Sequence, residues 1–201
     1  MPESITIYNT LTKTKEKLTT LTPGKIGIYA CGVTVYDDCH IGHAMQAIFF
    51  DMIRNFLEHS GYEVTYVRNY TDVEDKIIKR ATERKMSPKT LAEDMIKSSE
   101  EDMKSIGVKP ATHEPKVSDH IDEIIDMIKI LVANGSAYVT ETGDVYYKVK
   151  EKKDYGKLSR RKVDDLKSGT RKISSSLKNN EHDFALWKQD ETPDASWESP
   201  W

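Results

Sequence analysis

Lys25-Ile26-Gly27-Ile28-Tyr29-Ala30 is followed by a loop, Cys31 to His43, and then by apolar residues at Met45, Ile48, Phe49, Met52, Ile53 and Phe56. The first run alternates and reads as a strand. The spacing i, i+3, i+4, i+7, i+8, i+11 predicts a helix with one buried apolar face. Gly61 closes that helix in the usual left-handed position. Glu63 to Tyr70 (EVTYVRNY) reads as a second strand, and Val73 to Lys85 as a second helix. Strand, loop, helix, strand, helix is the opening of a parallel α/β sheet with right-handed crossovers. Such sheets bind ligands beyond the carboxyl ends of their strands. The loop Cys31 to His43 occupies such an end.

Downstream, Ser87-Pro88 supplies an N-cap and a first-turn proline, predicting a helix to about Ser105. Val117 to Asn134 predicts another helix, closed by Gly135. Ala137 to Val139 and Asp144 to Val149 read as a hairpin around Glu141-Thr142-Gly143-Asp144, and Ser174 to Asn180 as a loop. Three regions follow from this element order. Residues 1–106 form the first half of a sheet domain, 107–175 an inserted α+β connection with helix and hairpin, and 176–201 a return toward a second half. On this reading the chain carries one half of a larger parallel sheet.

The 201 residues carry 30 basic and 33 acidic side chains, a formal net charge of −3, which excludes a basic protein that coats nucleic acid. Two cysteines cannot make a disulfide scaffold and fit a reducing compartment. The start, MPESITIYNT, lacks a signal-peptide pattern, and the most apolar run ends at Asp51. The expectation is a cytoplasmic protein with no membrane partner. The charge is uneven. Lys148 to Lys172 contains 11 basic and 4 acidic residues, a local +7, so the remainder carries −10. That stretch reads equally as a phosphate-binding patch or as a solvated face.

The chemistry sits in Cys31-Gly32-Val33-Thr34-Val35-Tyr36-Asp37-Asp38-Cys39-His40-Ile41-Gly42-His43. Two histidines three apart share one face of a helix's first turn, where free amides and the positive dipole end point the same way. A phosphate there would meet amide and imidazole donors, with Gly42 allowing close approach. The alternative is that each histidine caps or packs at a helix start. The intervening glycine and the strand-end location favour the phosphate reading. On composition alone Cys31 reads as a small buried residue.

His40-Ile41-Gly42-His43 resembles the HIGH signature of class I aminoacyl-tRNA synthetases. The longer CGVTVYDDCHIGH resembles the cysteinyl-tRNA synthetases in particular. So do Arg68 to Ala81 (RNYTDVEDKIIKRA), Tyr155 to Ser159 (YGKLS), Asp183 to Lys188 (DFALWK) and Ser196 to Trp201 (SWESPW). The fold implied is α/β, the N-terminal half of a class I synthetase Rossmann-like parallel sheet with an inserted α+β connective segment. The activity implied is ATP-dependent conversion of L-cysteine to cysteinyl adenylate and transfer to tRNA(Cys). His40 and His43 would be catalytic and, with Gly42, would bind ATP, which brings Mg²⁺ on its phosphates. The family also holds Zn²⁺ through two cysteines, a histidine and a glutamate, and Cys31 matches the first of these. Cys31, Gly32, Thr34, Thr71 and Asp72 would line the cysteine and adenylate site.

By the same resemblance the other zinc ligands, the KMSKS loop and the helical domains that grip tRNA lie beyond Trp201, so this chain alone is not expected to complete aminoacylation. Met45 stands where an arginine is common. Cys39 reads as a core residue rather than a second ligand. Lys85-Met86-Ser87-Pro88-Lys89 looks like KMSKS but is better explained as a helix start, and His113 and His120 read as solvated. Two other functions remain open: an ATP- or tRNA-binding paralogue without catalysis, and a ligase joining cysteine to an amino sugar through the same adenylate.

Overall fold

A computed structural model describes residues 5–161 and 178–201. The chain divides into two compact units. The first holds Thr19–Ile121 and Glu191–Ser196; the second holds the N-terminal stretch to Leu18, Asp122–Asp190 and Trp197–Trp201.

In the first unit, strand β3 (Lys25–Ala30) pairs in parallel with β4 (Glu63–Arg68), in register from Lys25↔Glu63 to Ala30↔Arg68. Helix α1 (Ile41–His59) makes the crossover. Ser60 caps it and Gly61 follows at φ +90°, the conformation its lack of a Cβ allows. Helix α2 (Asp75–Arg84) ends at Lys85 in the left-handed region. Helix α3 (Pro88–Ser105) starts as the sequence predicts: Ser87 Oγ accepts from the Thr90 N–H at 3.1 Å, and Pro88 occupies the first turn. The Ser87-Pro88 pair is therefore a helix start, as its sequence suggests. Ile77 and Ala81 of α2 and Leu91, Ala92 and Ile96 of α3 form the main core, together with Val35 and Tyr70.

Three features were not read from the sequence. First, the apolar face of α1 is not buried. Met45, Ile48, Phe49, Met52 and Phe56 are 49% to 70% exposed. At 100° per residue they lie opposite Ala47, Arg54 and Leu57, the positions α1 does bury. The inner side also carries an ion pair, Arg54–Asp51 at 2.5 Å. Among the described residues the parallel ladder has two strands, and nothing covers the outer stripe.

Second, the two compact units divide between Ile121 and Asp122. Residues 112–116 run along the free edge of β4, through parallel bridges Val67↔His113 and Tyr70↔Lys116. The helix expected from Val117 opens as a 3-10 turn (Val117–His120) before α4 (Ile121–Ala133). Third, the stretch read as a return toward a second half contributes a strand to a sheet. Strand β7 (Phe184–Trp187) pairs with β6 (Val145–Tyr147), which pairs with β5 (Ala137–Val139), all antiparallel.

The second unit is built on that sheet. Ile128 of α4 packs with Ala137 and Val145, flanked by Trp187 and Trp201. Asp183, nearly inaccessible to solvent, accepts from the Tyr138 hydroxyl at 3.1 Å and the Val149 N–H at 3.0 Å. A buried carboxylate must be satisfied in this way, which gives Asp183 a structural task. An N-terminal hairpin, β1 (Thr6–Asn9) with β2 (Thr14–Lys17), belongs to the same unit and was not anticipated. Among the described residues no helix is long and apolar enough to cross a membrane.

Candidate active site

His40 is the N-cap of α1, in extended conformation. Its Nδ1 accepts from the Gly42 N–H at 3.1 Å, and the Nδ1 of His43 accepts from the His40 N–H at 3.3 Å. This is a reciprocal capping box made of two imidazoles. The rings stack with centroids 3.8 Å apart and planes 19° from parallel. A Cβ on residue 42 would stand 2.9 Å from the His40 ring, so Gly42 makes room for that ring.

The cap decides the tautomers. A neutral imidazole has one acceptor and one donor nitrogen. Both Nδ1 atoms are acceptors here, so each ring carries its proton on Nε2. Capping and phosphate binding are then not alternatives, because the cap uses one edge of each ring and leaves an N–H donor on the other. One expectation changes: the His40 and Gly42 amides are already bonded to the rings, so the imidazole Nε2–H groups stand in for them as donors to an anion, reinforced by the helix dipole. Burial, and next the neighbouring His40, hold the His43 pKa below its ordinary value, which keeps that ring neutral near pH 7.

The loop before α1 is fastened to α2. Asp37 is gripped by Arg80 and, at 2.8 Å, by Arg84. The Arg80 guanidinium beside it lowers the Asp37 pKa. Lys76 lies over the Tyr36 ring, 5.2 Å from its centroid. Cys39 donates toward Ser99 Oγ at 3.3 Å and packs with Ala47, Met103 and Val108, as a core residue.

Cys31 is exposed, with its thiol toward the Gly32 carbonyl at 3.7 Å. Gly32 is required: a Cβ there would fall 1.5 Å from the Asn69 carbonyl oxygen. Thr34 and Thr71 are brought side by side by a parallel bridge, with the Val35 N–H donating to the Thr71 carbonyl at 3.2 Å. Asp72 is engaged elsewhere. It accepts from the Ser118 amide at 3.1 Å and the Ser118 hydroxyl at 2.5 Å, fixing the 3-10 turn. The cap of α2 is instead Glu74, whose side chain accepts from the Lys76 N–H. Among the described residues no three His, Cys, Asp or Glu side chains are grouped to hold a metal ion. Cys31 is thus a single donor, and a four-ligand zinc site does not fit these residues by themselves.

Two residues at the site were missed in the sequence. Asn69 Oδ1 accepts from the Gly32 N–H and from the Tyr29 hydroxyl, both at 3.0 Å. Gln46 Nε2 donates to the Cys31 carbonyl at 3.2 Å. Gln46 left a faint signal, as a polar side chain inside an otherwise apolar run from Ala44 to Phe50.

A parallel strand pair joined by a crossover helix, with two stacked imidazoles at the start of that helix, is an α/β arrangement. Residues 17–201 match the family described as tRNA synthetases class I (C) catalytic domain, and the chain belongs to that family. It is 50% identical over 198 residues to the cysteine–tRNA ligase of Syntrophotalea carbinolica and 51% identical over 197 residues to that of Thermococcus kodakarensis. Each match covers 98% of this chain and 41% of the relative, so the chain spans about two fifths of the length of these proteins. Among solved structures, the Agrobacterium radiobacter K84 LeuRS in a ternary complex with tRNA and LeuAMS aligns at a TM-score of 0.52 and 19% identity, over 66% of this chain and 18% of that one. That likeness concerns the fold.

Proposed function

We propose that the chain is the ATP- and cysteine-binding part of a cysteine–tRNA ligase. The observation that carries this reading is the stacked His40–His43 pair, which turns two Nε2–H donors outward at the positive end of α1, in a chain about half identical to cysteine–tRNA ligases. In the proposed reaction a carboxylate oxygen of cysteine attacks the α-phosphorus of ATP. The bond from that phosphorus to the bridging oxygen breaks, giving cysteinyl adenylate and pyrophosphate. A hydroxyl of the terminal adenosine of tRNA then attacks the carbonyl carbon, losing its proton as AMP leaves. His40 and His43 donate to the triphosphate as charge moves onto it, and Gly42 keeps His40 in place. No protein nucleophile is needed; positioning and charge stabilisation do the work. Mg²⁺ would arrive on the ATP phosphates. Gly32, Thr34 and Thr71 line the cysteine end, and Cys31 is a zinc ligand only if further polypeptide supplies the others.

The same reading makes the first unit one half of a Rossmann-like sheet in a cytoplasmic enzyme. The exposed stripe on α1 supports it, since a helix apolar on its outer side as well is suited to burial on two sides. So does β3, one edge of which has no strand partner among the described residues. For tRNA, the exposed Lys150, Lys152, Lys153, Lys157, Arg160 and Arg161 offer contacts to phosphates. The rest of the basic stretch, from residue 162, lies outside the described residues.

The test is cysteine-dependent exchange of labelled pyrophosphate into ATP, followed by charging of tRNA(Cys), using the whole protein and the 201-residue chain in parallel. The whole protein should do both, and the 201-residue chain should fail at charging. ATP binding without cysteine-dependent exchange would mean a non-catalytic paralogue. Exchange without tRNA charging, but with transfer to an amino sugar, would mean the related ligase.

A further inference from the structure

We infer that Asn69 is the positioning residue of the cysteine pocket, holding the Cys31–Gly32 peptide and Thr71 in a single arrangement. The inference rests on the proposed function and deepens it. The β3–β4 ladder ends at the pair Ala30↔Arg68, so no strand partner fixes the next peptide of β3. Both polar atoms of that peptide are nevertheless held by side chains. The Gly32 N–H donates to Asn69 Oδ1 at 3.0 Å, and the Cys31 carbonyl accepts from Gln46 Nε2 at 3.2 Å. Clamping both ends of one planar unit fixes its plane, and with it the direction in which the Cys31 side chain leaves the backbone.

An amide fits all three partners, and its acceptor oxygen makes the two shorter bonds. Oδ1 has two lone pairs and uses them on the Gly32 N–H and the Tyr29 hydroxyl, while Nδ2 donates to the Thr71 hydroxyl at 3.4 Å. The residue also acts through its backbone: its carbonyl fills the space a side chain on residue 32 would need. Asn69 therefore touches Gly32 and Thr71 directly and reaches Cys31 through the shared peptide. Gln46 anchors the other end of that peptide from α1.

Steady-state pyrophosphate exchange by the whole protein tests this with Asn69→Ala, Asn69→Asp and Gln46→Ala. Asn69→Ala should raise KM for cysteine about tenfold, the effect of one lost hydrogen bond at its upper range, with KM for ATP within about twofold. Asn69→Asp keeps the acceptor for Gly32 and Tyr29 and should recover most of the loss. Gln46→Ala, at an exposed position, should raise KM for cysteine by about threefold. A merely structural residue would shift both KM values together or only lower thermal stability, and that result would overturn the inference.

The second readout needs no catalysis: hydrogen exchange at the Gly32 amide, which should speed up at least about tenfold in Asn69→Ala and stay slow in Asn69→Asp. If the unmodified protein shows no cysteine-dependent exchange, the functional reading fails while the Gly32 amide still judges the clamp. An unchanged amide rate in Asn69→Ala removes the clamp, whatever the enzyme does. If Asn69→Ala does not fold, Asn69→Asp and Gln46→Ala carry both measurements.

Discussion

Helices α1 and α3 are nearly equal in length, 19 and 18 residues, yet they use their apolar faces oppositely. Helix α3 buries Leu91, Ala92, Ile96 and Met103 against its neighbours. Helix α1 leaves Met45, Ile48, Phe49, Met52 and Phe56 in solvent and buries a narrower side that includes a charged arginine. Periodicity marks the face a helix is built to cover. It does not say whether the cover lies in the same 201 residues.

The sharpest way to break this contrast is by truncation. Leu91 is fully buried, so Leu91→Ala should cost about 3 kcal/mol in urea unfolding. Phe49→Ala, a larger deletion by volume, should change the stability of the 201-residue chain by no more than about 0.5 kcal/mol. A large loss at Phe49 would mean that α1 is covered after all. Gly32→Ala comes next. The new methyl cannot share space with the Asn69 carbonyl, so the loop must shift, with a cost of about 2 kcal/mol and loss of cysteine-dependent exchange.

The helix starts give a smaller and more selective contrast. Ser87→Ala at the head of α3 should cost about 1 kcal/mol, independent of pH between 5 and 8, because a hydroxyl does not titrate there. The head of α1 should respond to pH. His43 has its folded pKa below the ordinary 6.5, so the unfolded chain takes up the proton first. The stabilisation is complete above about pH 6.5 and is lost as pH falls through the lowered value. Protonation also turns the His43 Nδ1 from acceptor to donor and breaks its bond to the His40 amide. The protection of the His40 amide, taken relative to its intrinsic exchange rate, should therefore fall on acidification, while that of Thr90 stays constant.

How much of this was legible follows the physics of each element. Strand β3 and helix α3 are found at their expected residues because local signals act alone there: alternation in one, Ser87-Pro88 in the other. The histidine pair was legible as a helix start, with capping as one of its two readings, but the reciprocal bonding of the two rings was not, because imidazole is an uncommon capping group. Asp72 looked like a helix cap or a pocket residue and instead holds Ser118, 46 residues away, a pairing no local pattern encodes. Residues 112–116 were missed as a strand-like edge because Pro110 and Pro115 interrupt any alternation. Asn69 was quoted in a motif, but its role depends on where the β3–β4 ladder stops.

The imidazole cap has a further consequence for the company these histidines keep. A histidine ligates a transition metal through a nitrogen lone pair. In this helix start each Nδ1 lone pair is spent on a backbone N–H, and each Nε2 bears a proton. To bind nickel, copper or zinc through Nε2, either ring would have to switch tautomer, setting an N–H against an N–H and breaking its part of the cap. Two histidines three residues apart often invite chelation; here the bonding of the helix start works against it.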